Sequence, residues 1–153
     1  MGSGCFWGRQ HDFVQLEQKQ WNRTASEIST IGVYFGGSSK NLEACYYNEK
    51  NISVYSSLGH AEAIQLQVSN LKQMKDAFKV YFQSFIQLSK NIWAREDYFE
   101  SGAGYRAMIG FQGGIKNDTV MTILNVNNPH HVTYKEAKGS DMDTLGLNVV
   151  WIY

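Results

Sequence analysis

Cysteine is scarce in this chain of 153 residues: it occurs only at Cys5 and Cys45. Two thiols in a domain of this size do not make a disulfide framework, so a reducing compartment, most simply the cytoplasm, is expected. The cysteines and histidines also lack the paired spacing of a zinc site, and no metal is expected. Proline is nearly missing, with Pro129 alone. Neither sign of charge is in excess, since fourteen basic residues balance fourteen acidic ones. That balance argues against a phosphate-tracking basic face and hence against nucleic acid as a partner. No apolar run approaches the ~20 residues of a membrane-spanning helix, and no signal peptide precedes the first motif, so no membrane is expected.

The apolar content is ample. Hydrophobic residues make up 43% and aromatics 14% of the chain, enough for the core of a single domain over residues 1–153. Arg9 to Leu16 can form a helix in which Phe13 and Leu16 share a face with Phe6, although Val14 fits that face poorly. Ile31 to Phe35 is β-prone and ends at Gly36-Gly37, and Ser38 to Leu58 is polar and loop-like. Ile64, Leu66 and Val68 alternate with Gln65 and Gln67, which predicts a strand buried on one face, with Gly59-His60-Ala61-Glu62 at its start. Met74, Ala77, Phe78, Tyr81, Phe82 and Phe85 recur at helical spacing over Gln73 to Leu88. Ile92 to Glu100 reads as a loop, and Tyr105 to Phe111 as a strand closed by Gly113-Gly114. A short helix is expected over Lys116 to Val126, a turn at Lys138-Gly139-Ser140-Asp141, and a last strand from Asn148. Intermixed helices and strands of this kind point to an α/β or α+β sheet domain.

The chemistry-bearing stretch is Gly4-Cys5-Phe6-Trp7-Gly8. It places a cysteine at or near a helix N-terminus, where unpaired backbone N–H groups and the helix dipole favour negative charge. The thiolate is the nucleophilic form of cysteine. The glycines permit a sharp turn and close approach of a ligand, and Phe6 and Trp7 offer an apolar wall. Against this stands the reading of Cys5 as a small buried hydrophobe beside core aromatics. His60, Glu62, Tyr46, Tyr47 and Tyr105 also lie in loops or at a strand start, and each taken singly reads as a structural residue.

Taken together, four motifs resemble peptide methionine sulfoxide reductase of the A type: Gly4-Cys5-Phe6-Trp7-Gly8, Val33-Tyr34-Phe35-Gly36-Gly37, Gly59-His60-Ala61-Glu62, and Gly102-Ala103-Gly104-Tyr105-Arg106. The order and approximate spacing agree, and the similarity runs from Gly4 to about Ile152. Ala44-Cys45-Tyr46-Tyr47-Asn48 and Asp141 to Gly146 resemble a larger-looped eukaryotic-type branch. The resemblance implies an α+β fold, a mixed sheet with a ferredoxin-like βαβ core and long coil segments. It implies a monomer that repairs oxidised methionine in proteins or peptides, acting on the S-epimer of the sulfoxide, free or peptide-bound. Cys5 would attack the sulfoxide sulfur, and Glu62 would protonate the departing oxygen. Phe6 and Trp7 would hold the substrate methyl group. Tyr105 and one of Tyr46 or Tyr47 would bond the oxygen. The sulfenic acid left on Cys5 would be resolved by a second thiol, with Cys45 as the internal candidate and glutathione or a thioredoxin-like reductant as the external one. No metal or organic cofactor is implied.

This chain departs from that pattern. Glu100 stands where the family commonly carries an aspartate five residues before the tyrosine matched to Tyr105. The His-Asp-Pro that follows the amphipathic helix in the family is absent, as are a strand before the first motif and a C-terminal aromatic and histidine-rich segment. These departures motivate an alternative, a relative that binds oxidised methionine or a protein partner without turnover. A cysteine acyl-transfer site of Cys5 and His60 is a third reading, which lacks a group to orient the imidazole.

Overall fold

A computed structural model of the chain describes residues 1–37, 44–47, 54–90, 92–95, 102–138, 141, 143–144 and 147–152. The fold is α+β, as expected. Helix α1 spans Phe6–Lys19, α2 Leu71–Gln83 and α3 Asp118–Val126. Strands β1 (Ile31–Gly36) and β2 (His60–Gln65) form one antiparallel ladder. Strands β3 (Phe85–Ser89) and β4 (Ile92–Arg95) form a second. In the third sheet β5 (Met108–Phe111), β8 (Leu147–Ile152) and β6 (Tyr134–Glu136) lie side by side, and β7 (Asp143–Thr144) also pairs with β8. An isolated parallel bridge joins Cys45 to Val54.

The first and third ladders are joined by two residues. Met1 exchanges backbone hydrogen bonds of 2.7 and 2.8 Å with Ile64 of β2. Gly2 exchanges a pair of 2.8 Å with Met108 of β5. Reciprocal exchange marks antiparallel pairing on both sides. Strands β2 and β5 therefore run parallel to one another, one strand position apart, and α2 lies on the path between them. This is a split βαβ unit.

Helix α2 packs Ala77, Phe78, Tyr81 and Phe82 against Ile64, Ile109 and Phe111, together with Phe13 and Leu16 of α1 and Leu124 of α3. Phe35, Ala61, Ala63, Met108, Ala137 and Val149 fill the opposite face of the sheet.

Four element assignments differ from the sequence reading, each for a packing or backbone-pairing reason. The Asn70 side chain caps α2 by accepting the Gln73 N–H, but the helix stops at Gln83. Phe85 continues the aromatic stripe from a strand, with its ring 5.4 Å from Tyr81 and 6.2 Å from Phe82, and Ile92–Arg95 pairs with that strand instead of forming a loop. Strand β2 is His60–Gln65, earlier than the alternating Ile64 to Val68. Ala61 to Ile64 are all buried, and a strand covered on both faces shows no alternation. Strand β5 begins at Met108, where Gly2 pairs, so Tyr105 lies instead at the end of a short 3-10 turn, Ala103–Tyr105.

A second buried group organises the first loop. Glu17 of α1 is fully buried. Its carboxylate accepts from the Thr30 N–H at 2.8 Å, the Ser29 N–H at 2.9 Å, the hydroxyls of both residues and the Arg23 guanidinium. Burial alone would push its pKa up, but the bonds from Thr30, Ser29 and Arg23 outweigh it and hold the group below its ordinary 4.5. Because the folded pKa is the depressed one, this stability is present above about 4.5 and is lost as pH falls through the folded value. We expect Glu17→Gln to lose roughly 2–4 kcal/mol in urea unfolding at pH 7. The gap from the parent should narrow as the pH is taken well below 4.5.

Candidate active site

Gly4 adopts a left-handed φ of 87°, which turns the chain from the Gly2 pairing into α1 within three residues. Cys5 is the N-cap of that helix, in an extended conformation. The first-turn N–H groups of a helix have no partner within it. Here the Phe6 N–H donates to Glu62 Oε2 at 2.8 Å. The residue after the cysteine and the carboxyl of the Gly-His-Ala-Glu motif are thus bonded directly, although 56 positions apart in sequence.

Glu62 lies on the inner strand β2 with 0% of its surface exposed. Its other oxygen, Oε1, accepts from the Tyr55 hydroxyl at 2.8 Å. The Tyr55 hydroxyl accepts from Tyr105, which accepts in turn from Tyr46. A chain of three phenols therefore donates in one sense toward the carboxyl. Burial first, and then the neighbouring Glu62, push the Tyr46 hydroxyl well above its ordinary range. Burial likewise raises Tyr55, against an opposing bond from Tyr105 and with further lift from Glu62. Both stay protonated, and remain donors, through neutral and mildly alkaline pH.

The rings form a continuous wall. Phe6 stacks on Tyr34 at 5.7 Å and on Tyr46 at 6.2 Å, and Trp7 lies 6.1 Å from Tyr46. Tyr34 stacks on Tyr55 at 4.7 Å, and Tyr55 meets Tyr105 edge-on at 6.5 Å. Gly104 is what lets the Ala103–Tyr105 turn come this close. A Cβ there would lie 3.1 Å from the Tyr55 ring.

The predicted residues separate clearly. Cys5, Phe6, Glu62, Tyr46 and Tyr105 come together. Trp7 touches this group through Tyr46 but is 68% exposed. Tyr47 is 72% exposed and packs edge-on against Tyr46 at 4.8 Å, so of the tyrosine pair it is Tyr46 that joins the wall. Glu100 lies outside the described residues. Cys45 adjoins Tyr46, its carbonyl accepts the Tyr55 N–H at 2.9 Å, and neither cysteine is in a disulfide. The His60 ring is held by the Gly36 carbonyl, 2.6 Å from Nδ1, and stacks on Tyr34 at 6.3 Å.

Two participants were not singled out from the sequence. Tyr55, the direct partner of Glu62, sits in a polar stretch with no periodicity. The only sequence signal is a large aromatic four residues before Gly59. Arg106 is the other. It makes two 2.6 Å bonds to the buried Asp141, donates to the Ala103 carbonyl at 2.7 Å and reaches the Gly59 carbonyl at 3.2 Å. It thereby ties the turn carrying Tyr105 to the start of the strand carrying Glu62.

Among the described residues, no group of three or more His, Cys, Asp or Glu side chains is arranged to hold a metal ion. The chain matches no protein-family model, no curated protein and no solved structure.

Tyr55→Phe leaves Glu62 Oε1 buried without its donor. We expect a loss of about 1–3 kcal/mol in denaturant unfolding. Tyr47→Phe, at the exposed edge, should stay within about 0.5 kcal/mol of the parent.

Proposed function

We propose that the chain reduces the S-epimer of methionine sulfoxide, in proteins or as the free amino acid, in the manner of the A-type peptide methionine sulfoxide reductases that its motifs resemble. The observation that carries this reading is the bond from the Phe6 N–H to a fully buried Glu62. It puts a carboxyl beside the cysteine at a helix N-terminus, within an aromatic enclosure suited to a methyl group.

In this reading the Cys5 thiolate attacks the sulfoxide sulfur while Glu62 delivers a proton to the oxygen. The sulfur–oxygen bond of the substrate breaks, two electrons pass from the cysteine sulfur to the methionine sulfur, and the oxygen ends on Cys5 as a sulfenic acid. Phe6 and Trp7 contact the substrate methyl group. Tyr46, Tyr55 and Tyr105 supply hydrogen-bond donors around the oxygen. Two thiol equivalents then return Cys5 to its reduced state and release water. Cys45 beside Tyr46 is the internal candidate: it would displace water from the sulfenic acid to form a Cys5–Cys45 disulfide, which two external thiols, of glutathione or a thioredoxin-like protein, then reduce. Without it, the two external thiols act on the sulfenic acid directly. No described helix is long and apolar enough to cross a membrane, and the reading needs no membrane partner.

The test is a single turnover. Reduced protein, mixed with an S-epimer methionine sulfoxide peptide and no added reductant, should release a single methionine per chain. Cys5→Ser should release none. Glu62→Gln should slow the step by roughly 10²–10⁴-fold. Cys45→Ser should leave the first turnover intact and impair only later ones. Full activity in Cys5→Ser would overturn the mechanism. Saturable binding of the sulfoxide peptide with no methionine released would show a binding protein instead.

A further inference from the structure

In the proposed reaction Glu62 must regain a proton after each cycle, yet it lies where bulk water does not reach. None of its surface is exposed, and its strand neighbours Ala61 and Ala63 are buried with it. Two hydrogen bonds to its carboxyl are described. The Phe6 N–H donates to Oε2 at 2.8 Å, and the Tyr55 hydroxyl donates to Oε1 at 2.8 Å. A backbone amide does not release its proton in ordinary aqueous chemistry, whereas a phenol titrates near 10. Of the two donors, Tyr55 is the one that can hand a proton over.

Tyr55 is itself buried, so it needs a supplier in turn. Tyr105 donates to its hydroxyl, and Tyr46 donates to Tyr105. These two outer tyrosines are half-buried. Tyr46 packs against Trp7 and Tyr47, both of which are exposed. The three hydroxyls therefore lead from the protein surface to the carboxyl, each with its proton pointing inward. The absence of a side chain at Gly104 keeps the inner step clear, since a Cβ there would lie 3.3 Å from Tyr55 Oη. The Tyr34 ring covers that of Tyr55 at 4.7 Å. The line is also fast enough. A phenol stands about six pKa units above a carboxyl in water. From an attempt rate of about 6 × 10¹² s⁻¹, a proton crosses that gap on the order of 10⁶ times per second. Burial pushes the Tyr46 and Tyr55 hydroxyls higher and slows the step. An ordinary turnover of about 10 s⁻¹ leaves roughly five decades for that slowing.

We propose that Tyr46, Tyr105 and Tyr55 form a proton relay that recharges Glu62 from solvent, with Tyr55 as the last carrier. The proposal rests on the reading of the Cys5 site and adds the proton's route to it. In one cycle a Cys5 thiolate, a protonated Glu62 and the sulfoxide give methionine, the sulfenic acid and a Glu62 carboxylate. The carboxylate then takes the Tyr55 proton, Tyr55 takes that of Tyr105, Tyr105 takes that of Tyr46, and Tyr46 takes one from water. Four O–H bonds break and four form. No phenol is oxidised and each ends neutral, so the net change is one proton moved from solvent to Glu62. Each hydroxyl then turns about its C–O bond to point inward again.

The test follows two events in one single turnover. The reduced whole chain is mixed with an S-epimer methionine sulfoxide peptide in weak buffer near neutral pH, without reductant. Proton uptake is read by stopped flow with a pH-indicator dye, and methionine by chemical quench on the same time base. In the parent, uptake of one proton per methionine should keep pace with methionine release. Tyr55→Phe removes the last carrier. Its methionine release slows for want of a donor, and its proton uptake should trail that release by about tenfold or more. A tyrosine with a merely structural role would slow both traces together. Tyr105→Phe breaks the next link and should show the same lag, and it decides the question if Tyr55→Phe does not fold. Uptake that keeps pace with methionine in these variants overturns the relay while leaving the reductase reading intact. So does an absence of uptake by the parent, because Glu62 would then regain its proton from within the site. An absence of methionine from the parent overturns the reading of the Cys5 site, and the relay with it.

Discussion

Four backbone hydrogen bonds, two between Met1 and Ile64 and two between Gly2 and Met108, hold β2 and β5 in one layer. Each is worth only about 0.5–1.5 kcal/mol net, so they do not supply the stability of the domain. They set its register. Ile64 and Met108 are buried on opposite faces of the sheet, and a slip of one residue would exchange the faces of every side chain on the strand. The same pairing places the chemistry. Glu62 lies two residues before Ile64, and Cys5 follows Gly2 by three. Tyr81 of α2 donates to the Gly2 carbonyl at 3.0 Å, and Ser3 bonds Ser84 at the end of that helix. The short path from ladder to α1 is therefore pinned from the helix side as well.

Among the described residues two glutamates, Glu17 and Glu62, are buried, and the fold treats them differently. Glu17 receives a guanidinium and four further donors, which is what holds an anion in place without water. Glu62 receives a phenol and one helix N-terminal N–H, and no cationic side chain bonds it among the described residues. A carboxyl so placed holds its neighbours through neutral donors alone, where Glu17 is also neutralised by a cation. Pairs of carboxyl groups with contrasting surroundings are a common way for one fold to separate structural from chemical roles. The contrast is visible only in three dimensions, since both residues are glutamates beside aromatic-rich stretches of sequence.

What the sequence revealed follows from apolar pattern. The core of α2 was legible from its helical spacing and α1 from the shared face of Phe6, Phe13 and Leu16, while β1 and the final strand were legible as short β-prone apolar runs. Strand β2 was misplaced because its buried part, Ala61 to Ile64, has no polar face to mark it. The hairpin of β3 and β4 was hidden by Phe85, which belongs to the aromatic stripe of α2 by packing but not by backbone. At the site, Cys5, Phe6, Glu62 and Tyr105 were found through compact motifs that place rare residues together. Tyr55 bonds Glu62 and Arg106 bonds Asp141 and Gly59 across separate segments, and no local pattern announces such bonds. The choice between Tyr46 and Tyr47 was likewise undecidable from two identical neighbours until burial separated them.

The phenol chain explains why loops with few apolar contacts assemble here. Tyr46, Tyr55 and Tyr105 come from three separate segments, and their hydroxyls donate in sequence toward Glu62. Each inner phenol both donates and accepts, so the three are satisfied only when all segments are in place. Hydrogen bonds linked in this way polarise one another, and in a poorly hydrated site the cost of leaving one unmade exceeds the gain of making it. The order of the loops is thus enforced by what their absence would leave unpaired on a fully buried carboxyl, and the stacked rings of Phe6, Tyr34 and Tyr55 keep water from offering a substitute. The carboxyl that organises the loops is also the one beside the helix start that carries Cys5. A distortion that disorders the loops would therefore release the cysteine's surroundings at the same time.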